Sequence, residues 1–451
     1  MTPSLHRQRG AVAIMTALAM LVLLAVVGLV IDGGLAYLVK ARLNAAVDSA
    51  ALAGARAVPA GSTQSEQIAS AQSAASDFFN ANMPGSFMLS TPKLLSTKVT
   101  FNQGQATIDV NAEAPMPVSV MQVLGFSSLT PVAYAQTVRR DLDMAFVVDT
   151  SGSLSGQAAT VRASSKAFLN KFNVTQDRVS LIHFASGAEI DFPINTSARG
   201  FNRASMLKKI DTFKFTGGTA SMEGMWNARD QLNAIPLNNR STQRVIVFFS
   251  DGEPSAFGSY ITFANGTSCT NLAGVIEKGS THGLSSIDGT DFDTVRSDCL
   301  VKSGNNILSR SLPAWYNGHN SPLNQNDTAK REFPVVTNTP RVVTADLTSE
   351  LMIQQNVERA ARNLVEAAAA KARDEGIVVF TLGLGDSLKT RGNYDNDTGE
   401  QILKCMANVA DAPARCYNPT KPVGMYCYAA TDADLTPCFS RLASAILRIT
   451  K

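Results

Sequence analysis

The hydrophobic pattern begins with one long apolar segment near the N-terminus. No charged residue occurs from Ala11 to Ile31, and at about 1.5 Å per residue such a helix spans roughly 31 Å, the thickness of a bilayer's hydrocarbon core. A cleaved signal peptide, the competing interpretation, usually has an apolar region of only about 7–15 residues. No small-residue cleavage site follows directly, because the chain continues as Asp32-Gly33-Gly34. We therefore predict an uncleaved single span within an anchor at residues 1–40.

The next region, residues 41–138, has the mixed pattern of a small α+β module. Apolar residues keep helical spacing after the span, so we expect one unbroken helix from the membrane to about Ala57, ended by Pro59. The further predicted elements are a helix over 66–80, strands over 98–101 and 106–112, a short helix near 118–124 and a strand near 130–138.

Residues 141–451 alternate continuous apolar strands with helices, which is typical of an α/β fold with a doubly wound, largely parallel sheet. We predict strands over 144–149, 178–185, 189–193, 244–250 and 377–382, and helices over 157–171, 204–213, 221–233, 349–375, 400–409 and 433–449. Between about 253 and 343 lies an insertion rich in Gly, Asn, Ser and Thr. Structureless loops of that length are uncommon in compact domains, so we expect a decoration on the domain that one disulfide could tie down.

Composition excludes several classes of protein. The 451 residues are 45% hydrophobic and 17% charged, whereas an average globular domain has about 25% charged residues. These values exclude a disordered, fibrous or multi-span membrane protein. The net charge of +3 and the pI of about 8.5 are too mild to indicate a nucleic-acid partner.

The cysteines bear on which side of the membrane the C-terminal part occupies. All six follow the span: Cys269, Cys299, Cys405, Cys416, Cys427 and Cys438. Disulfides persist in oxidising compartments, so a location of this part outside the cytoplasm would explain the even number of cysteines. The alternative is that all six are reduced, buried thiols. The sequence does not select a pairing, and without a CxxC pair a zinc ribbon is not expected. Positive charge flanks both ends of the span and leaves the orientation open.

Three polar clusters fall where strands of the predicted sheet end or a helix begins. They are Asp149-Thr150-Ser151-Gly152-Ser153, Phe215-Thr216-Gly217-Gly218-Thr219 and Phe249-Ser250-Asp251-Gly252. Ligands of doubly wound folds bind outside the carboxyl ends of the strands. Together and in this order, the clusters resemble the metal-ion-dependent adhesion site of the von Willebrand factor A (VWA) domain family. Tyr426–Ala430, Asp434-Leu435 and Phe439 are similar to that family's last strand and helix. The resemblance extends from about Asp141 to the C-terminus, apart from the insertion.

This resemblance implies a divalent-metal site. Its ligands would be Asp149, Ser151, Ser153, Thr219 and Asp251, with the carboxylates acting directly or through water. Hydroxyl and carboxylate oxygens with no Cys or His nearby suit a hard cation such as Mg²⁺ or Mn²⁺. Two carboxylates at most balance the charge of one ion, so the metal can accept a carboxylate from a partner. Such a site implies binding, with no bond broken.

Other candidate chemistry is weaker. Asp395–Glu400 looks like an oxygen-rich calcium loop but lacks EF-hand spacing, so we expect a solvated turn there and likewise at Asp288, Asp291 and Asp293. A serine hydrolase would need G-x-S-x-G, and residues 152–156 carry Leu154 where the nucleophile belongs. None of the four histidines is predicted at the end of a strand, and we do not expect an enzyme.

The N-terminal segments Gly10–Ile14, Val30–Tyr37 and Leu43–Ala55 look like the pilin-like N-terminus of TadG proteins. These are bacterial membrane proteins of the tight-adherence system, which assembles Flp (type IVb) pili. A pilin-like N-terminus joined through a small α+β module to an adhesion-site domain is typical of that family. One departure is Met15, which stands where related pseudopilins carry the glutamate used in processing and assembly. We therefore predict no prepilin processing.

The resemblance implies a function in pilus assembly. We expect a component that assembles or anchors a Flp-type pilus machine, held in the bacterial inner membrane by Ala11–Ile31 and facing the periplasm. Its metal site would grip a protein partner through an acidic side chain. The first alternative is an envelope or surface adhesin that binds host or matrix protein through the same site. The second is a domain that recruits an AAA+ ATPase, which requires the opposite orientation.

Overall fold

The computed structural model describes residues 9–58, 64–102, 105–237, 239–262, 271–278, 285–290, 302–303, 306–307, 311–319, 331–392 and 394–449. The chain divides into two compact units, Met1–Arg139 and Arg140–Lys451. Cys269, Cys299, Asp291 and Asp293 lie outside the described residues, so the structure does not test the predictions made for them.

The first unit is built on one continuous helix. The elements in chain order are α1 (Arg9–Ala57), α2 (Gln64–Asn82), β1 (Lys93–Asn102), β2 (Gln105–Glu113), β3 (Met116–Pro117), β4 (Ser128–Leu129) and β5 (Val132–Arg140). A single-turn 3-10 helix, Met121–Leu124, stands where the short helix was predicted. The strands β1, β2 and β5 form a sheet in the order β1-β2-β5. The helix α1 confirms the prediction of an unbroken helix to Ala57.

The environment of α1 changes along its length. Apolar side chains such as Leu21 and Val30 in its first half are exposed, and this half is long and apolar enough to cross a membrane. From Val39 onward, one face is fully buried against α2 and β2 and continues through Leu43 and Val47. One helix therefore supplies both an apolar segment suited to a membrane anchor and the core of the module that follows it.

The second unit contains a six-stranded sheet. Its elements are β6 (Leu142–Asp149), α3 (Ala158–Leu169), β7 (Arg178–Phe184), β8 (Ala188–Phe192), α4 (Arg203–Asp211), α5 (Ser221–Ala234), β9 (Gln243–Ser250), β10 (Ala256–Thr262), β11 (Asn271–Glu277), β12 (Lys302–Ser303), β13 (Asn306–Ile307), α6 (Glu350–Asp374), β14 (Ile377–Leu384), α7 (Gly399–Ala407), β15 (Tyr426–Ala429) and α8 (Asp432–Ile449). The strand order is β15-β14-β9-β6-β7-β8, and only β8 runs antiparallel to its neighbour. The predicted doubly wound, largely parallel sheet is confirmed.

Helices cover both faces of this sheet, and alternate residues of each strand enter two different cores. Along β6, Met144 and Phe146 pack with α3, α4 and α8. The intervening Ala145 and Val147 pack with α5, α6 and α7. Because both faces are covered, every residue of β6, β7 and β9 is buried. This double burial produces the continuous apolar runs seen in the sequence.

The insertion is more than the decoration that we expected. Its strands β10 and β11 form an antiparallel hairpin, and Phe257, Ile276 and Tyr316 belong to the same core as α5 and α6. Buried Glu223 on α5 accepts hydrogen bonds from the Gly258 backbone N–H at 2.5 Å and the Tyr316 hydroxyl at 2.8 Å. The composition indicated loops, yet a few apolar residues and one buried carboxylate fasten the described part of this segment to the domain.

Four of the six cysteines form disulfides within the described residues. Cys405 on α7 pairs with Cys416 in the following loop, and Cys427 on β15 pairs with Cys438 on α8. Each pair is 11 residues apart in the sequence. Pairing therefore joins consecutive members of the evenly spaced series and holds the C-terminal edge of the domain together.

Candidate metal centre

The candidate site lies where two neighbouring parallel strands end. Val148 on β6 is paired with Phe249 on β9, so the residues that follow them, Asp149 and Ser250, emerge side by side. The strand that follows β6 in the chain, β7, lies on the opposite side of β6 from β9. The chain order reverses between β6 and β9, and such a switch point is where open α/β sheets bind ligands.

Four of the five predicted ligands lie in one hydrogen-bonded group. Asp149 accepts hydrogen bonds from the Ser151 backbone N–H at 2.8 Å and from the Ser250 hydroxyl at 2.5 Å. The Ser153 hydroxyl donates to Asp251 at 2.9 Å and lies 3.2 Å from the Ser151 hydroxyl oxygen. Asp149, Ser151 and Asp251 are all buried. The first strand end and the β9 strand end therefore come together as the sequence predicted.

The fifth predicted ligand, Thr219, lies on an adjacent loop. The Gly152 backbone N–H donates to the Gly217 carbonyl at 3.0 Å, which joins this loop to the one that carries Ser151 and Ser153. Thr219 is itself held by two hydrogen bonds to Ser255. Thr219 and Ser153 line the same open pocket of about 380 Å³. The structure thus places Thr219 at the pocket without a direct hydrogen bond to the other four residues.

Two glycines shape that loop. Gly217 has a φ of +86°, a left-handed conformation, and a methyl group there would lie 2.5 Å from the Ser186 Oγ. The Ser186 hydroxyl accepts from the Gly218 backbone N–H at 3.0 Å and donates to Glu277 at 2.7 Å. Only glycine fits this close approach without strain. The insertion, through Glu277, therefore supports the loop that presents Thr219.

The electrostatics of the pair Asp149 and Asp251 favour a bound cation. Burial raises the pKa of Asp149 above the usual range of a carboxyl. Burial raises the pKa of Asp251 as well, and the neighbouring charge of Asp149 raises it further. Two buried carboxyls in contact with serine hydroxyls form an oxygen-only set of donors, which fits a hard divalent cation. These residues could hold such an ion, whose charge would offset the repulsion between the two carboxylates.

Two positively charged side chains line the pocket together with the carboxylate of Glu253, and sequence reasoning missed them. Lys278, which follows β11 in the insertion, and Arg391, in the loop after β14, both line it. The Lys278 ammonium also pairs with Glu358 on α6 at 2.9 Å. Neither residue is near the three clusters in the sequence, so no local motif could have indicated them. Ser250, which binds Asp149, was visible as the residue before Asp251.

Two further groups of acidic residues in the described part of the chain have cationic partners. In the segment that resembles a calcium loop, Asp395 pairs with Arg359 at 2.9 Å and Asp397 pairs with Arg341. That segment is a partly exposed turn, as expected, and ion pairs hold it in place. A group not singled out from the sequence, His183 with Glu189 and Asp191, surrounds Lys209, whose ammonium lies 3.1 Å from both carboxylates.

Comparison with known families gives two matches. Residues 143–272 match the von Willebrand factor type A domain, and residues 10–57 match the Flp pilus-assembly TadE/G-like family.

Comparison with solved structures gives similar chains of low identity. The pilus adhesin SpaC from Lactobacillus rhamnosus GG is 16% identical, over 80% of this chain and 35% of SpaC, with a TM-score of 0.39. The PilB minor pilin from Streptococcus sanguinis is 13% identical, over 80% of this chain and 79% of PilB, with a TM-score of 0.40. The vWF domain of the type V pili tip protein Mfa5 from Porphyromonas gingivalis is 14% identical, over 70% of this chain and 98% of that domain, with a TM-score of 0.39. The chain thus spans about a third of the length of SpaC.

Proposed function

We propose that this chain, which joins a TadE/G-like Flp pilus-assembly segment to a VWA domain, is a membrane-anchored component that assembles or anchors a Flp-type pilus machine. Its task is to hold a protein partner through a divalent metal ion. The observation that carries the proposal is the convergence of Asp149, Ser151, Ser153 and Asp251 at the switch point of the sheet. The function is binding, and no catalytic role is proposed.

The metal ligands in this proposal are the five residues predicted from the sequence: Asp149, Ser151, Ser153, Thr219 and Asp251. The oxygen-only chemistry of these side chains supports Mg²⁺ or Mn²⁺. When bound, the ion supplies an electrophilic position for a carboxylate of the partner. The chain's own residues orient the site, since Ser250 holds Asp149 and Ser255 holds the loop of Thr219.

A partner with acidic side chains fits the surroundings of the metal site. The pocket is open to solvent, and Lys278 and Arg391 line it beside Glu253, whose carboxylate is paired with Arg362. Complementary charge steers association and disfavours partners of the wrong sign. We therefore infer an acidic segment of another pilus component as the partner.

The proposed location is the inner membrane, with the second unit in the periplasm. The apolar helix α1 suggests a single membrane anchor. The two disulfides of the second unit favour an oxidising compartment over the cytoplasm. Protease added to intact spheroplasts should therefore digest the second unit, whereas protection until the membrane is lysed would contradict this orientation.

The first test of the metal site is calorimetric titration of Mg²⁺ and Mn²⁺ into the fragment 140–451. We expect saturable binding in the wild type and loss of binding in Asp149→Ala, because the removed carboxylate belongs to the proposed ligand set. Asp211→Ala is the matched control, since Asp211 is an exposed carboxylate on α4 paired with Lys166. Equal binding by all three proteins would refute the proposed site.

The second test addresses the pilus role. Asp149→Ala and Asp251→Ala in the full-length chain should each abolish surface Flp pili while the protein itself remains at its normal level in the membrane. Normal piliation in both variants would overturn the pilus role. Normal piliation combined with lost attachment to host or matrix protein would instead favour the adhesin alternative.

A further inference from the structure

The segment that joins β3 to β5 packs against α1 at the end of the apolar stretch. Both carboxylate oxygens of Asp32 accept hydrogen bonds from this segment, namely from the backbone N–H groups of Ser119 at 3.0 Å, Val120 at 2.9 Å and Met121 at 2.7 Å. Asp32 is only 1% exposed as a result. The first residue beyond the predicted span is therefore fixed to residues 119–121, which lead into the turn Met121–Leu124.

The contact extends into the span itself. Gly28, three residues before the end of the apolar stretch, is buried, and a methyl group there would lie 3.1 Å from the Val120 side chain and 3.3 Å from the Met121 nitrogen. Three residues of helix correspond to about 4.5 Å of rise. If α1 crosses the bilayer with Ala11–Ile31 in the hydrocarbon, Val120 and Met121 lie at the depth of its last turn.

The same segment presents apolar side chains outward. Leu124 and Phe126 are 46% and 50% exposed. No charged residue occurs between Glu113 and Arg139. Exposed large apolar side chains in an uncharged segment suit the boundary of a bilayer, where no charge has to be desolvated.

Farther along the chain the segment rises away from this level. Val132, at the start of β5, accepts a hydrogen bond from the ammonium of Lys40. Lys40 lies eight residues beyond Asp32 on α1, which corresponds to about 12 Å of rise. Leu124 and Phe126 thus lie on the part of the chain between a contact with Gly28, inside the span, and a contact with the side chain of Lys40, eight residues beyond Asp32.

From this geometry we propose that residues 121–129 form a second membrane contact, in which Leu124 and Phe126 insert into the acyl-chain boundary of the same bilayer that α1 crosses. The occupant of this apolar surface is lipid. The proposal rests on the membrane anchor proposed above. Together, the span and this contact would fix both the depth of the module and its rotation about α1.

The test uses tryptophan probes in the full-length chain, reconstituted in vesicles whose lipids carry bromine near the headgroup end of the acyl chain. Phe126→Trp reports on the proposed contact, and Leu29→Trp reports on the same depth of the span. Leu95→Trp is the matched control, because Leu95 is 56% exposed on β1, a strand that also carries Lys93 and Lys98. Wild-type emission, which comes from Trp226 and Trp315, is subtracted from each.

We expect Phe126→Trp to lose the same fraction of its emission as Leu29→Trp, and Leu95→Trp to lose none. Quenching of Leu29→Trp without quenching of Phe126→Trp would overturn the lipid contact and leave the anchor intact. The same result is expected where another protein, and not lipid, is the partner of this surface. Absence of quenching at Leu29→Trp would overturn the anchor, and the lipid contact with it.

Discussion

At the candidate metal centre, the loop that carries Ser151 and Ser153 and the loop that carries Thr219 are joined by single residues. The Gly217 carbonyl accepts a hydrogen bond from the Gly152 N–H. The positive φ of Gly217 lets the chain pass close to Ser186. The side chains proposed as metal ligands are therefore positioned in part by backbone contacts between loops.

Replacing Gly217 by alanine should weaken metal binding. The new methyl group would meet the Ser186 hydroxyl, and a left-handed φ costs alanine about 1 kcal/mol or more. We expect a lower melting temperature and about tenfold weaker Mg²⁺ binding by calorimetry. Gly156→Ala is the matched control, because nothing lies within 4 Å of a methyl group at that position. Unchanged binding in Gly217→Ala would show that this loop does not form the site.

Metal binding should also depend on pH. The pKa values of Asp149 and Asp251 are raised by burial, so protons compete with the ion at mildly acidic pH. We expect affinity for Mg²⁺ to fall on acidification by up to about tenfold per pH unit for each proton displaced. Calorimetry across neutral and mildly acidic buffers would measure this, and a flat profile would contradict it.

The metal-free protein should show the opposite trend. Its folded state holds these two protons more tightly than the unfolded state does, because the folded pKa values are the higher ones. Their contribution to stability is therefore present below the unfolded pKa and is lost as pH rises through the folded pKa. Thermal unfolding in a chelator should accordingly show a decreasing contribution from this pair toward neutral pH.

For the residues of the candidate metal centre, the sequence predicted the three polar clusters but not the residues of the insertion that lie beside them. The clusters are short and local, and each directly follows a strand or precedes a helix, so their pattern is visible without a structure. Lys278 and Glu277 reach the site only because the hairpin of β10 and β11 folds back onto Ser255 and Ser186. Contacts between residues so far apart in the sequence leave no periodic signal.

Among the elements, the C-terminal edge of the sheet depends on covalent links. The strand β15 is short and lies at the edge, and its Cys427 is joined to Cys438 on α8. The helix α8 in turn packs its Leu435, Phe439 and Leu442 into the core shared with α3 and α4. The disulfide therefore ties a marginal strand to a well-buried helix.

Removing this disulfide should destabilise the second unit without altering the candidate metal site. For the double variant Cys427→Ser/Cys438→Ser we expect the free energy of unfolding to fall by about 2–3 kcal/mol, the range for closing a short loop. Urea unfolding of the fragment 140–451 would measure the loss. Mg²⁺ affinity should stay at the wild-type value, since neither cysteine lines the pocket. An unchanged midpoint would show that β15 is held by packing alone.

The elements of the doubly wound sheet were largely predictable from the sequence, and the insertion was not. Strands such as β6 and β9 are buried on both faces and give uninterrupted apolar runs. In the insertion, Phe257, Tyr316 and Phe333 are isolated apolar residues in a polar background. Because they have no common period, their shared burial could not be inferred.

At the scale of the whole molecule, the helix α1 belongs to the anchor and to the module alike. A fragment that begins at residue 41 loses Val39, which is fully buried, together with Leu35, which packs against the same core. Each such side chain contributes about 1.5–3 kcal/mol when fully buried. The boundary between anchor and module therefore matters for stability as well as for solubility.

We expect the fragment 32–451 to be released from membranes and to retain a stable module, whereas 41–451 should be soluble but less stable in its first unit by about 3 kcal/mol. The full-length chain should remain in the membrane pellet after alkaline extraction. Sedimentation and thermal unfolding would compare the three proteins. Recovery of the full-length chain in the soluble fraction would contradict the anchor, and equal stability of the two fragments would contradict the role of Val39.

The contact between Asp32 and the turn Met121–Leu124 also has a mechanical consequence. Directly after Asp32, α1 contains Gly33-Gly34, and glycine pairs are among the positions at which helices kink. The hydrogen bonds to Asp32 hold α1 just before this pair, and the core around Val39 holds it just after. These contacts restrain α1 on both sides of the glycine pair and so oppose bending there. Force applied to the module would therefore be transmitted along a rigid helix to the apolar segment of α1. Without the hydrogen bonds to Asp32, α1 would bend more easily at Gly33-Gly34, and the module would move more freely relative to that segment.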